Sequence, residues 1–172
     1  MDAQAFHDSS MPTYLDDKQA NEEGALQFLI FSLNDALFGV NLMLVKEISQ
    51  YGIVTMVPLM PSYIKGVINL RGSVIPIIDL SARFNHGITT VNKRSCIVIL
   101  DITQEGESND IGILVDDVAA VLKIEQTQIE PAPAFGASVR SEFIAGISKF
   151  NERFVVLLDI AKTLPLDDLA DI

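Results

Sequence analysis

The sequence predicts an all-β protein made of two small, related β-units. Short apolar segments rich in β-branched residues recur at close spacing along the 172 residues, and Gly, Asn, Asp and Pro separate them. Little of the chain shows the 3.6-residue periodicity of a helix. One stretch of the first half also recurs in the second half. These observations favour a small sandwich or barrel, with one barrel for each half.

The stretch at residues 63–84, YIKGVINLRGSVIPIIDLSARF, predicts a β-hairpin. Two β-branched runs flank a short break at Arg71-Gly72, where Gly72 can adopt the positive φ of a tight turn. Pro76 cannot donate a ladder hydrogen bond and therefore predicts an edge strand or a bulge. Arg71 is the charged residue at the tip of this apolar hairpin.

The same hairpin pattern returns at residues 143–164, FIAGISKFNERFVVLLDIAKTL. The two stretches match without a gap at a constant offset of eighty residues, so Asp79 meets Asp159. We interpret this as an internal duplication. The second copy has Asn151-Glu152 at the turn, so the turn is structural and Arg71 is an additional feature. The shared aspartate predicts a structural role, such as capping the turn after each hairpin.

Other segments complete the predicted order of elements. Residues 42–48 predict a short helical turn, and residues 104–110 and 131–136 predict loops. Strands are predicted at residues 26–33, 36–40, 52–57, 94–101, 111–115 and 118–124.

The net charge of −11 lies mainly in the tails. Residues 1–24 carry six acids and one lysine, and residues 165–172 carry three aspartates, so the body keeps only −3. We predict a disordered acidic arm at residues 1–24 and an acidic tail at residues 165–172. The body has no basic stripe, so nucleic acid is not an expected partner.

The sequence shows no constellation of catalytic or metal-binding residues. No 18-residue apolar run predicts a membrane span, and the N-terminus lacks the features of a secretory signal. The histidines, His7 and His86, lack metal-ligand spacing. The single cysteine, Cys96, fits a reducing cytoplasm and is interpreted as a buried core thiol. Asp116-Asp117 is interpreted as a solvated strand end or turn. We therefore expect no enzyme activity, cofactor or metal.

Residues 66–80, GVINLRGSVIPIIDL, resemble the signature of the CheW family, the coupling proteins of bacterial chemotaxis. Two further segments resemble the family's first-half and second-half patterns: residues 38–40 with 45–48, and residues 112–116 with Val118. The resemblance covers roughly residues 26–164. It implies two SH3-like five-stranded β-barrels in one CheW-like domain, residues 25–164. We expect barrel one at about 26–65 plus a C-terminal strand at 153–160, and barrel two at about 66–150.

The resemblance also implies a function. A CheW-like protein is a non-enzymatic adaptor that links the cytoplasmic tip of chemoreceptors to the regulatory domain of the chemotaxis histidine kinase. It would lie in the cytoplasm, at receptor arrays beneath the inner membrane. Arg71 and Glu47 would be polar receptor contacts, although their types alone also fit solvated surface residues. Apolar residues would line a groove between the barrels for the receptor helix: Leu42, Val45 and Val118.

Two alternatives remain open from the sequence. An adaptor of a twitching or other chemosensory-like pathway would carry the same family signature. A small-ligand-binding barrel protein belongs to a different class, but the sequence shows no convergent polar groups for such a ligand.

Overall fold

A computed structural model describes residues 25–104, 106–132 and 139–169. The predicted arm at residues 1–24 and most of the predicted loop at residues 131–136 lie outside these ranges. In the described part, strands dominate: β1 (Ala25–Leu33), β2 (Ala36–Asn41), β3 (Val45–Gln50), β4 (Ile64–Leu70), β5 (Ser73–Asp79), β6 (Cys96–Gln104), β7 (Glu107–Val115), β8 (Asp117–Glu125), β9 (Ile144–Phe150) and β10 (Arg153–Leu158).

Within the described ranges, the helices are single turns. Three are α-helical: α1 (Leu80–Arg83), α2 (Ile160–Thr163) and α3 (Leu166–Leu169). Three are 3₁₀ turns: Leu42–Leu44, Gln126–Gln128 and Ser141–Phe143. The α3 turn lies in the segment that the sequence predicts to be an acidic tail, so that tail begins with ordered structure.

The strands form two five-stranded sheets, ordered β8-β1-β2-β10-β9 and β3-β6-β7-β5-β4. The described residues divide accordingly into unit one, within 25–44 and 118–163, and unit two, within 45–117 and 164–169. The prediction of an all-β fold with two five-stranded units is therefore confirmed.

The strands are divided between the units differently from the predicted barrels. Strand β3, expected in barrel one, pairs with β6 in unit two, from Val45↔Leu100 to Gln50↔Cys96. Strands β8 and β9, expected in barrel two, belong to the sheet of unit one. The reason is that strand pairing is non-local, so contacts between distant segments, and not order along the chain, decide which unit a strand joins.

The two units share one topology in permuted chain order. Unit two runs continuously through β3, β4, β5, β6 and β7. The equivalent strands of unit one are, in the same order, β8, β9, β10, β1 and β2. With these replacements the sheet order β3-β6-β7-β5-β4 of unit two becomes β8-β1-β2-β10-β9, which is the order in unit one. Each unit also contains one parallel pair, β5 with β7 and β10 with β2. Unit one is thus a circular permutation of unit two.

The duplicated hairpins have the same register. Strand β4 pairs with β5 from Ile64↔Ile78 to Leu70↔Ser73, with an irregularity after the first pair. Strand β9 pairs with β10 from Ile144↔Leu158 to Phe150↔Arg153, with an irregularity at the equivalent place. Both turns have two residues with positive φ, as type I′ turns require. The prediction of two equivalent hairpins at an offset of eighty residues is confirmed.

Each unit has its own apolar core, built by inward-facing residues of these strands. In unit one the core cluster comprises Phe28, Ile30, Leu37, Leu122, Ile124, Val155 and Leu157. In unit two it comprises Ile75, Ile77, Ile97, Ile99 and Leu114. The hairpin strands β5 and β10 supply equivalent core residues, and this explains why the repeat preserves apolar positions more than identities.

Three local predictions are wrong. Residues 104–110 are not a loop throughout, because β6 extends to Gln104 and β7 begins at Glu107. Residues 42–48 are not one helical turn, because the 3₁₀ turn ends at Leu44 and β3 follows at once. Residues 52–57 are not a strand; only Thr55 forms a β-bridge, with Val67. This segment has apolar residues of the right type, but Pro58 follows it closely and it lacks a continuous partner strand.

Pro76 lies neither on an edge strand nor at a bulge, because β5 is flanked by β4 and β7. Val67, its partner on β4, exchanges both backbone hydrogen bonds with Thr55, so the Pro76 nitrogen faces β7 instead. Pairing between β5 and β7 begins only at Ile77↔Gly112. Pro76 is tolerated because it precedes this ladder.

Candidate functional site

Glu47 and Arg71 form an ion pair on the surface of unit two. Strand β3 carries Glu47, and the turn between β4 and β5 carries Arg71. The Arg71 Nη2 atom lies 2.9 Å from Glu47 Oε1, and Nη1 lies 3.1 Å from Oε2. This is the two-pronged geometry that a planar guanidinium makes with a carboxylate. The structure thus brings together two residues that are 24 positions apart in the sequence.

The turn itself orients Arg71. Arg71 has φ 52° and Gly72 has φ 87°, so both are in the left-handed region that a type I′ turn needs. The Asn69 side chain accepts a hydrogen bond from the Gly72 N–H at 3.1 Å. Asn69 therefore fixes the turn, although the sequence assigned it no role. The turn of the second copy has the same backbone, which confirms that the turn does not need arginine.

The electrostatics of the pair are those of an exposed ion pair. The hydrogen bond from Arg71 lowers the pKa of the Glu47 carboxyl, and the charges of Arg71 and Lys46 act in the same direction. The same hydrogen bond raises the pKa of the Arg71 guanidinium. The Arg71 side chain is 73% exposed, whereas that of Glu47 is 30% exposed. Both groups are therefore charged at neutral pH, and Arg71 is the more accessible of the two.

Lys46 adds a second charged cluster beside the pair. Its Nζ atom lies 3.0 and 2.8 Å from the carboxylate oxygens of Asp110 on β7. Asp110 stands directly opposite Asp101 on β6, so two like charges face each other across the ladder. The Asp110 hydrogen bond raises the pKa of Lys46, and the Asp101 charge also contributes. The sequence did not single out Lys46, since its partners are distant in the chain.

The other predicted site residues are divided between the two units. Val45 is a half-buried residue on β3, two positions before Glu47, and the pairing of β3 with β6 is irregular between these residues. Leu42 and Val118 belong to unit one, on the 3₁₀ turn and on β8, and both are half-buried. The structure therefore joins Glu47 to Arg71 directly and places Val45 on the same strand.

The aspartate shared by the two hairpins has the predicted capping role. Asp79 is fully buried at the start of α1, and its carboxylate accepts a hydrogen bond from Ala82 N at 3.3 Å. It also accepts bonds from Thr89 N at 2.8 Å and Thr89 Oγ1 at 2.7 Å. Its counterpart, Asp159, accepts from Lys162 N at 3.3 Å. In unit two the cap therefore also holds the loop that follows α1.

Cys96 is half-buried rather than a core residue, and its Sγ donates to the Arg94 carbonyl oxygen at 3.2 Å. It begins β6, where the strand emerges from a loop. Within the described ranges, no three His, Cys, Asp or Glu side chains are grouped to hold a metal ion. In the same ranges, every helix is too short or too polar to cross a membrane.

The fold and the site together define an all-β protein with an ion pair between a hairpin turn and strand β3. A family model described as the CheW-like domain matches residues 27–167. The chemotaxis protein CheW of Klebsiella aerogenes is 36% identical over 153 residues, which cover 89% of this chain and 90% of that protein. CheW of Rhizobium meliloti is 31% identical over 145 residues, covering 84% of this chain and 91% of that protein.

A solved structure gives the same result. The scaffolding protein TtCheW from Thermoanaerobacter tengcongensis superposes with a TM-score of 0.71 and 33% identity, covering 78% of this chain and 84% of that one. The chain belongs to the CheW family, whose members are chemotaxis scaffolding and adaptor proteins.

Proposed function

We propose that this protein is a non-enzymatic adaptor that couples chemoreceptors to the chemotaxis histidine kinase. The observation that carries the proposal is the Glu47–Arg71 ion pair, presented on an exposed hairpin turn of a CheW-family chain. In the duplicated hairpin the same backbone turn is made by Asn151 and Glu152. The arginine is therefore not explained by the needs of the turn, and a binding role accounts for it.

Arg71 is suited to recognise a receptor helix. Two of its N–H groups bond to Glu47, and the remaining donors of the fork belong to a side chain that is 73% exposed. A carboxylate or a free carbonyl of a helix can accept these bonds. Because Glu47 orients the guanidinium before binding, less side-chain freedom is lost when the partner docks.

Apolar contacts would supplement this polar anchor. Leu42, Val45 and Val118 are all half-buried, so each retains apolar surface that a partner can cover. A receptor helix with an apolar face is a suitable ligand for such residues. We propose these three residues, with Glu47 and Arg71, as the receptor-binding set.

The first test is Arg71→Ala, measured against two partners. Arginine is enriched among interface residues whose truncation is costly, so receptor binding should weaken at least about tenfold. Binding to the kinase regulatory domain and the melting temperature should stay near their original values. The matched control is Arg153→Ala, since Arg153 is an exposed arginine beside the turn of the other hairpin. A large fall in melting temperature would make Arg71 structural, and equal loss toward both partners would contradict its assignment to the receptor.

Glu47→Ala should show a weaker form of the same loss, because it removes the orienting group but keeps Arg71.

Pull-downs with a receptor tip and with the kinase regulatory domain test the bridging role itself. Failure to bind either partner would refute the adaptor proposal. Deleting residues 1–23 should leave both interactions largely intact, because that acidic segment has no apolar face to dock.

The remaining parts of the proposal concern activity, location and pathway. We propose that the protein does no chemistry alone, binds no cofactor, and works in the cytoplasm at receptor arrays beneath the inner membrane. A fluorescent fusion should give clusters at these arrays, and uniform fluorescence would count against this location.

A twitching or other chemosensory-like pathway is the alternative within the family. Binding to the receptors of one pathway only would decide between chemotaxis and this alternative. Strong thermal stabilisation by a small metabolite would instead favour a ligand-binding protein.

A further inference from the structure

The N-terminal halves of strands β5 and β7 in unit two do not pair with each other. Their parallel ladder consists of three pairs, and Ile77↔Gly112 is the first. Both strands nevertheless begin earlier, at Ser73 and at Glu107. A surface cleft of about 570 Å³ opens between these unpaired halves, and Leu166 and Leu169 of α3 line it as well. All of these residues belong to unit two.

Backbone groups of β5 point into this cleft. The pair Leu70↔Ser73 flanks the two-residue turn between β4 and β5 and is therefore hydrogen-bonded. Further along the two strands, non-hydrogen-bonded and hydrogen-bonded pairs alternate. Val74 consequently directs its N–H and C=O away from β4, toward the cleft. The bonds between Val67 and Thr55 agree with this alternation. Val74 is also 62% exposed.

Backbone groups of β7 point into the cleft from the opposite side. Gln104↔Glu107 flanks the two-residue turn between β6 and β7, so the alternation directs the N–H and C=O of Ser108 and Asp110 away from β6. Within the described residues the ladder between these two strand edges has no pair before Ile77↔Gly112. An extended segment placed between them would find donors and acceptors on both sides.

The charges of the cleft select the type of segment. Glu107, Asp110 and Lys46 line it, and Ser108, another lining residue, hydrogen bonds to Asp101. Lys46 is already paired with Asp110. Two lining carboxylates, with Asp101 beside them, therefore outnumber the one lysine, and a basic segment is complementary to this excess of negative charge. Val74, Ile75, Pro76 and Ile111 provide the apolar part of the lining.

We propose that this cleft binds an extended, basic peptide segment of a partner protein, which completes the sheet between β5 and β7. The segment needs about four residues, or roughly 13 Å, to span the unpaired halves. Main-chain hydrogen bonds provide the affinity in this mode, and alternate side chains provide the specificity. The proposed peptide site involves neither Glu47 nor Arg71, so it stands or falls independently of the proposed coupling function.

The test uses the full-length protein and a fluorescein-labelled peptide of sequence KVKVK at low salt. Fluorescence anisotropy should show saturable binding. The same peptide with N-methylated valines keeps every side chain and charge but loses backbone donors, so it should bind at least about tenfold more weakly. The acidic peptide EVEVE should also bind at least about tenfold more weakly. Equal binding of either control peptide, or no binding of KVKVK, would overturn the proposal.

A second measurement locates the peptide. In amide hydrogen exchange followed by NMR, KVKVK should slow exchange at Val74, Ser108 and Asp110. Glu107→Gln should weaken binding about threefold, as expected for one charge lost about 6 Å from another in water. Glu152→Gln, the same change at an exposed turn of unit one, should leave binding unchanged.

Contrary results of these measurements are distinct. Unchanged exchange at the three amides would place the peptide elsewhere and would refute the site. Protection of these amides without peptide, together with dimers in analytical ultracentrifugation, would mean that a second copy of the chain occupies the cleft, and would refute the peptide proposal.

Discussion

Gly66 and Gly146 occupy equivalent positions in the two hairpins, but we predict that replacement by alanine has different costs. A Cβ atom on Gly66 would lie 2.2 Å from the backbone oxygen of Thr55, and φ at Gly66 is +150°. A Cβ atom on Gly146 would meet the Ile129 side chain at 2.4 Å and the Glu130 oxygen only at 3.2 Å. The first clash is with backbone and the second is mainly with a side chain, which can move.

The expected magnitudes follow from these contacts. Gly66→Ala must break the bridge in which Thr55 N donates to Val67 O at 2.9 Å and Val67 N donates to Thr55 O at 2.8 Å. Each hydrogen bond contributes about 1 kcal/mol net, and the positive φ costs an alanine about 1–3 kcal/mol, so the total is about 4 kcal/mol. Gly146→Ala requires only repacking around Ile129 and should cost about 2 kcal/mol.

Urea unfolding followed by far-ultraviolet circular dichroism measures both free energies of unfolding. If the two units unfold in separate transitions, each variant is compared through the transition of its own unit. Hydrogen exchange at the Val67 amide provides a local reading, because Gly66→Ala should abolish its protection. Equal costs for the two variants, or an unchanged Val67 amide in Gly66→Ala, would refute the reasoning from backbone contact.

Three further predictions concern charged and buried polar groups. Arg71→Ala should raise the pKa of the Glu47 carboxyl toward its ordinary value in a carbon-13 NMR titration. Because the pKa of Glu47 is depressed in the folded protein, the ion pair stabilises the fold above the ordinary carboxyl pKa. This stabilisation is lost as the pH falls through the depressed pKa. Lys46→Met should lower the melting temperature by an amount that shrinks in high salt, because it leaves two opposed aspartates unneutralised and salt screens their repulsion. Thr89→Val should cost about 1–3 kcal/mol in urea unfolding, because it removes a hydroxyl that donates to the buried Asp79 carboxylate.

Neighbouring substitutions are controls for these predictions. Thr90→Val changes an exposed residue beside Thr89 and should stay within about 0.5 kcal/mol. Lys93→Met removes an exposed lysine and should show no salt-dependent loss. A Glu47 carboxyl that titrates identically with and without Arg71 would mean that the ion pair is not formed in solution. Equal costs for Thr89→Val and Thr90→Val would exclude a structural role for the hydroxyl bond to Asp79.

The sequence by itself determined the fold class and the duplication. Alternation of apolar residues has the period of a strand, and turn residues such as Gly72 have a local conformational reason, so both are visible without tertiary contacts. The match at a constant offset of eighty residues correctly predicted two hairpins with one register. The family signature likewise lies in contiguous residues around Arg71 and could be recognised directly.

Only the tertiary structure decided how strands are shared between the units and which charges meet. Pairing of β3 with β6 depends on residues about fifty positions apart, which local patterns do not encode. The same applies to Pro76, whose tolerance depends on where pairing with β7 begins. Glu47 and Arg71 each fit a solvated surface residue in the sequence, and their ion pair became visible only through the geometry. Strand propensity is a local property, whereas register, permutation and ion pairing arise from contacts that form when distant segments are brought together.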